Sequence, residues 1–125
     1  MAQKKKNQIH QLTDGLSREL VDGIAIYRFS GQTVSGTAII KFGASLRDSL
    51  SQGRQKFVVS FIELDLLDLD GCSMAVSARR AVQRAGGKIV LCNIEKAEDE
   101  YLISRLSQLF DHFPMEEKAI AFISK

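Results

Sequence analysis

The sequence predicts a single α/β domain, in which a mixed, mainly parallel sheet of about four to five strands is covered by about four helices. Three observations carry that reading. Two short, near-continuous apolar runs, Phe57-Val-Val-Ser-Phe-Ile62 and Lys88-Ile-Val-Leu-Cys-Asn93, have the composition of strands buried on both faces. Stretches with apolar residues at helical spacing lie between such runs, and helical crossovers make neighbouring strands parallel. A length of 125 residues, with 45% hydrophobic and 26% charged side chains, suits one core and excludes a largely disordered chain.

The elements follow in order. A flexible polar and basic leader is expected over residues 1–15, and the folded domain over 16–125. Leu16–Leu20 and Ile24-Ala-Ile-Tyr-Arg-Phe-Ser30 read as strands joined in a hairpin across Val21-Asp-Gly23. Ile39, Phe42, Gly43, Leu46 and Leu50 outline a first helix, which Gly53 closes. After the strand Phe57–Ile62 comes an acidic, leucine-rich passage, Glu63-Leu-Asp-Leu-Leu-Asp-Leu-Asp70. A second helix is expected from about Gly71 to Ala85, with Cys72, Ala75, Ala78, Val82 and Ala85 inward, and Gly86-Gly87 stops it. Beyond the strand Lys88–Asn93, residues Tyr101, Leu102, Arg105, Leu106, Leu109 and Phe110 outline a third helix. Pro114 precedes a short fourth, Glu116–Ile123, whose acids suit its first turn. The expected core is Ile26, Phe29, Leu46, Val58, Phe61, Val82, Val90, Leu106 and Leu109.

Several function classes fall away at this level. The net charge is +2, and Lys4, Lys5 and Lys6 supply the excess, so the domain lacks the basic stripe of a nucleic-acid binder. No run of 18 apolar residues and no secretory signal is seen, and a reduced cytoplasmic setting is expected. Gly31-Gln-Thr-Val-Ser-Gly36-Thr37 lacks the lysine of a phosphate loop and reads as a turn before a helix. Cys72 and Cys92 sit on apolar faces, His10 and His112 lie far apart, and no zinc spacing or nucleophile–base pair emerges. A non-enzymatic protein without cofactors is the expectation.

One passage stands out. Asp65, Asp68 and Asp70 lie where a strand gives way to a helix. Carboxylates there can cap the helix, complement its dipole or hold a hard cation. Asp70, directly before Gly71, is expected to be the cap.

Taken together, these residues resemble the STAS domain of bacterial anti-sigma factor antagonists and sulfate-transporter tails. The resemblance rests on element order over about residues 16–123 and on three local matches. These are Asp22-Gly-Ile-Ala-Ile leading to Phe29-Ser-Gly31, Asp68-Leu-Asp-Gly71, and Ala85-Gly-Gly-Lys-Ile-Val-Leu-Cys-Asn93 followed by Leu106, Leu109-Phe110 and Glu116-Glu-Lys-Ala119. It implies a partner-switching protein that binds a kinase-type anti-sigma factor. The partner-binding rim would be Asp68, Leu69, Asp70, Gly71, Ser73 and Ser77, with Gly31 and Gln32. In that family a serine or threonine just before the motif glycine is phosphorylated. Here Asp70 stands in that place and Leu69 before it, and the nearest hydroxyls are Ser73 and Ser77.

Three functions are therefore weighed. The leading one is a regulatory interaction module of the antagonist type, acting through the Asp68–Ser77 rim. A second is a STAS subunit of a membrane-associated, lipid-trafficking ABC transporter, a role that needs no phosphoserine. The third, of another class, is a magnesium-dependent phosphoaspartate receiver or small enzyme using Asp65, Asp68 and Asp70.

Overall fold

The computed structural model describes residues 8–125. Six strands form one sheet whose spatial order is the chain order: β1 (Gln8–Thr13), β2 (Leu16–Val21), β3 (Ile24–Gly31), β4 (Lys56–Leu64), β5 (Lys88–Cys92) and β6 (His112–Phe113). The first three strands meander antiparallel, and the remaining pairings are parallel. The helices α1 (Gly36–Ser51), α2 (Leu69–Arg84), α3 (Glu100–Leu109) and α4 (Glu116–Ile123) make the connections or close the chain. None of the described helices is long and apolar enough to cross a membrane.

Local chemistry explains the joints. In the β2–β3 hairpin Val21 pairs directly with Ile24, and Asp22 and Gly23 both take positive φ, 50° and 83°. That is the two-residue turn whose twist matches its flanking strands, and an Asp-Gly pair adopts it readily. Helix α1 starts at a Ser35 cap, whose hydroxyl accepts from the Ala38 N–H at 3.0 Å. The glycine-rich stretch before α1 is thus a capped turn.

The apolar runs are explained by two cores, one on each face of the sheet. Ala25, Tyr27 and Phe29, Phe57, Val59 and Phe61, and Ile89 and Leu91 pack under α1, α2 and α3. The alternate residues Ile24, Ile26, Val58, Val90 and Cys92 meet Ala119 and Ile123 of α4. Because β3, β4 and β5 are covered on both sides, alternation gives way to continuous hydrophobicity. Of the expected core, Leu109 alone is only partly buried, since it falls in the last turn of α3.

Four expectations need correction. The sheet has six strands, not four to five. Residues 8–13, assigned to the leader, form β1, which is held by pairing with β2 although its side chains are mostly exposed. Residues 1–7, the rest of that leader, lie outside the described residues. Helix α2 begins at Leu69 rather than Gly71, and Ala85, taken as inward, is its exposed C-cap.

On the α4 face one charged group interrupts the apolar surface. Arg28 of β3 donates through Nε and Nη2 to the Glu116 carboxylate, at 2.8–3.1 Å. Its Nη1 lies 2.6 Å from Glu19 Oε1, so one guanidinium holds two carboxylates and ties β2 and β3 to the start of α4.

Candidate functional site

The loops after β3, β4 and β5 gather at the carboxyl edge of the parallel strands, the usual place for recognition in α/β sheets. Backbone bonds join them. Asp65 N–H donates to Gly31 O and Leu66 N–H to Gln32 O, both at 2.9 Å. Leu67 N–H donates to Lys96 O at 2.7 Å, and Glu98 N–H returns to Leu67 O at 3.0 Å. Gly31 and Gln32 are thereby brought beside the entry to α2.

Fully buried Leu67 fixes where α2 can start. Asp68 follows in extended backbone, and its Oδ1 accepts from the Gly71 N–H at 3.0 Å. Asp68, not Asp70, is therefore the cap. Asp70 occupies the first turn, exposed, and its carboxylate takes no hydrogen bond among the described residues. There it complements the helix dipole. Gly71 is buried, and a Cβ on it would sit 2.6 Å from Leu67 Cδ1 and 3.2 Å from Val34 Cγ2. The motif glycine is what lets α2 begin against the buried Leu67 and Val34.

Leu69, Ser73 and Ser77 are exposed along α2, between two grooves. The groove between α1 and α2 measures about 650 Å³ and is lined by Ile39, Ile40, Phe42, Leu46, Arg47, Asp70 and Met74 among others. The groove between α2 and α3 measures about 300 Å³ and includes Leu69, Cys72, Val76, Arg80, Tyr101 and Arg105. Ile40 and Tyr101, each 71% exposed, were not singled out as surface residues in the sequence. Nothing local marks an apolar residue on a helix as outward-facing.

The thiols offer no chemistry here. Burial, aided by the charge of Asp68, pushes the Cys72 thiol up to about 11. Burial under α4 pushes Cys92 up to about 12. Thiols held that high stay protonated and inert near neutral pH. Among the described residues no three His, Cys, Asp or Glu side chains converge on a common metal position.

A family model described as STAS domain matches residues 16–119. The chain belongs to the STAS domain family. Solved structures agree on the fold. The anti-sigma factor antagonist SpoIIAA in its unphosphorylated form superposes with a TM-score of 0.66 at 16% identity, over 95% of this chain and 98% of that one. A putative anti-sigma factor antagonist from Thermotoga maritima gives 0.70 at 16% identity, over 86% and 93%. The phosphorylated form of the Bacillus cell fate determinant SpoIIAA gives 0.62 at 18%, over 94% and 99%. No curated protein sequence matches significantly.

In this STAS domain the strands lie in chain order. A phosphoaspartate receiver has the doubly wound order 2-1-3-4-5. The fold therefore overturns the receiver reading of Asp65, Asp68 and Asp70. The cap assignment makes a direct prediction. Asp68→Ala should cost about 1 kcal/mol in chemical denaturation, while Asp70→Ala, losing only a dipole contact, should cost about half of that or less. A larger loss at Asp70 would mean that the helix starts two residues later.

Proposed function

We propose that this STAS domain is a non-enzymatic, cytoplasmic regulatory module that captures a protein partner at the entry to α2. The partner is a kinase-type anti-sigma factor or a protein like it. The contact rim is Asp68, Leu69, Asp70, Gly71, Ser73 and Ser77, with Gly31 and Gln32 alongside. The observation that carries this reading is Asp70, exposed in the first turn of α2 beside two apolar grooves and without a hydrogen-bond partner among the described residues. Its position corresponds to the phosphoacceptor of the antagonists that the chain resembles. A phosphate there would bring about 1.5–2 negative charges and tetrahedral oxygens, whereas aspartate gives one permanent charge. The module is thus not reset by phosphorylation at residue 70, and its partner offers an Arg or Lys to that carboxylate.

The test is calorimetry with the partner recovered from source cells. Asp70→Ser removes a charge from the centre of the contact and should change affinity by ~1 kcal/mol or more. The melting temperature should hardly move, because Asp68 keeps the cap. A family kinase with ATP should leave the wild-type chain unmodified at residue 70. Equal affinities for the two variants would place the binding surface elsewhere. A second reading, a STAS subunit of a membrane-associated transporter, also draws on the hydroxyl-free motif. Co-fractionation with membranes and recovery of transporter subunits would favour it.

A further inference from the structure

The groove between α2 and α3 has an apolar floor of Leu69, Cys72, Val76, Leu102 and Leu106, and its lining includes two cations, Arg80 and Arg105. No carboxylate lines it. Neither arginine forms an ion pair among the described residues, where both ion pairs belong to Arg28. One exposed arginine without a partner is ordinary. Two over a single apolar groove act together, because low-dielectric walls focus their field into it. The groove is also preformed. Arg79, next to Arg80, donates through Nε to Leu109 O at 2.7 Å and so pins the far ends of the two helices together.

The charges give the groove a direction. Helices α2 and α3 each lead from one strand to the next parallel one, so they run parallel to each other. Asp68 and Asp99 cap their N-terminal ends, where backbone N–H groups hold both carboxylates. Leu69 and Tyr101, both exposed, stand in the first turns. Arg105 lies about one turn beyond Tyr101, and Arg80 about three turns beyond Leu69. The end toward the caps is therefore apolar with acids beyond it, and the other end is basic. Burial keeps the Cys72 thiol on the floor protonated near neutral pH, so it adds no charge. An elongated ligand with a negative head and an apolar tail fits this gradient. The head lies between the arginines and the tail toward Leu69 and Tyr101. The Ser77 hydroxyl, one turn before Arg80, is a further donor for the head.

Size narrows the class. A volume of about 300 Å³ holds about ten water-sized groups at roughly 30 Å³ each. We propose that the α2–α3 groove binds a small aliphatic carboxylate of about eight carbons, its head held by Arg80 and Arg105 and its chain on the apolar floor. This holds whichever protein the rim captures.

Octanoate is the probe, titrated into isotope-labelled protein and followed by the NMR shifts of backbone amides. The shifts should gather on residues 69–80 and 101–106, with a dissociation constant below about 1 mM. Octanol, the same chain without the charge, should bind at least about tenfold more weakly. Arg80→Gln and Arg105→Gln should each weaken octanoate about threefold to tenfold and leave octanol unchanged. Arg47→Gln, at the α1–α2 groove, is the control and should alter neither. All three arginines are exposed, and thermal melts check that the variants fold. The proposal is overturned if octanoate moves no resonance up to about 5 mM, or if the shifts gather on the larger α1–α2 groove. It is equally overturned if octanol binds as well as octanoate, which is apolar adhesion alone, or if either Arg80→Gln or Arg105→Gln binds octanoate as the wild type does.

Discussion

Arg28→Met is expected to lower stability by about 2–3 kcal/mol, below the usual cost of breaking a fully buried ion pair because the group retains some water. Methionine keeps the apolar stem but leaves the Glu19 and Glu116 carboxylates, 9% and 17% exposed, without their cation. The pH dependence should change sign. In the wild type the Arg28 hydrogen bonds hold the Glu116 carboxyl below its ordinary range. That contribution is present above the unfolded carboxylate pKa and disappears as pH falls through the lowered folded value. Acidification from neutrality should therefore weaken the wild type through this pair. In Arg28→Met two like charges share a largely buried place, so protonating one relieves them, and the variant should hold or gain stability near pH 4 to 5. Urea midpoints measured across that range decide the matter. A variant that loses as much stability in acid as the wild type would show that solvent already screens the cluster.

Phe29→Ala is expected to cost about 3–5 kcal/mol. Its ring is fully buried, 5.4 Å from Phe42 in an edge-on arrangement and 5.9 Å from Phe61. Removing it opens a void between β3, β4 and α1 in a place where rigid aromatic neighbours cannot close in. The denaturation midpoint should fall with little change in slope. A loss under about 1.5 kcal/mol would mean that the aromatic cluster repacks.

Burial could be read from the sequence wherever it imposed a pattern. The runs Phe57–Ile62 and Lys88–Asn93 declared themselves because both of their faces are covered. Strand β1 did not, since Gln8-Ile-His-Gln-Leu-Thr13 lies at an edge and its side chains bury little; backbone pairing holds it. The two-residue β6 is too short to carry any period. At the site, two aspartates two positions apart were equally good caps on paper. What chose Asp68 was Leu67, whose bonds to Lys96 and Glu98 come from a loop some thirty residues away. The Arg28 cluster spans 88 residues between Arg28 and Glu116, so no local window contains it. Its one trace is an arginine inside an otherwise apolar strand.

Because every strand pairs with the one made just before it, the sheet can assemble in the order of synthesis, with no strand waiting for a distant partner. Its two faces do not close together. Helices α1, α2 and α3 cover one face as the strands are made, but α4, which covers the other, follows β5 by about thirty residues. At 5–20 residues per second the ribosome needs about 2–6 s for that stretch. During those seconds Ile24, Ile26, Val58 and Val90 form a bare apolar face on an otherwise formed sheet. Nascent chains are therefore most prone to stick to one another in this interval, and a ribosome stalled before α4 would prolong it.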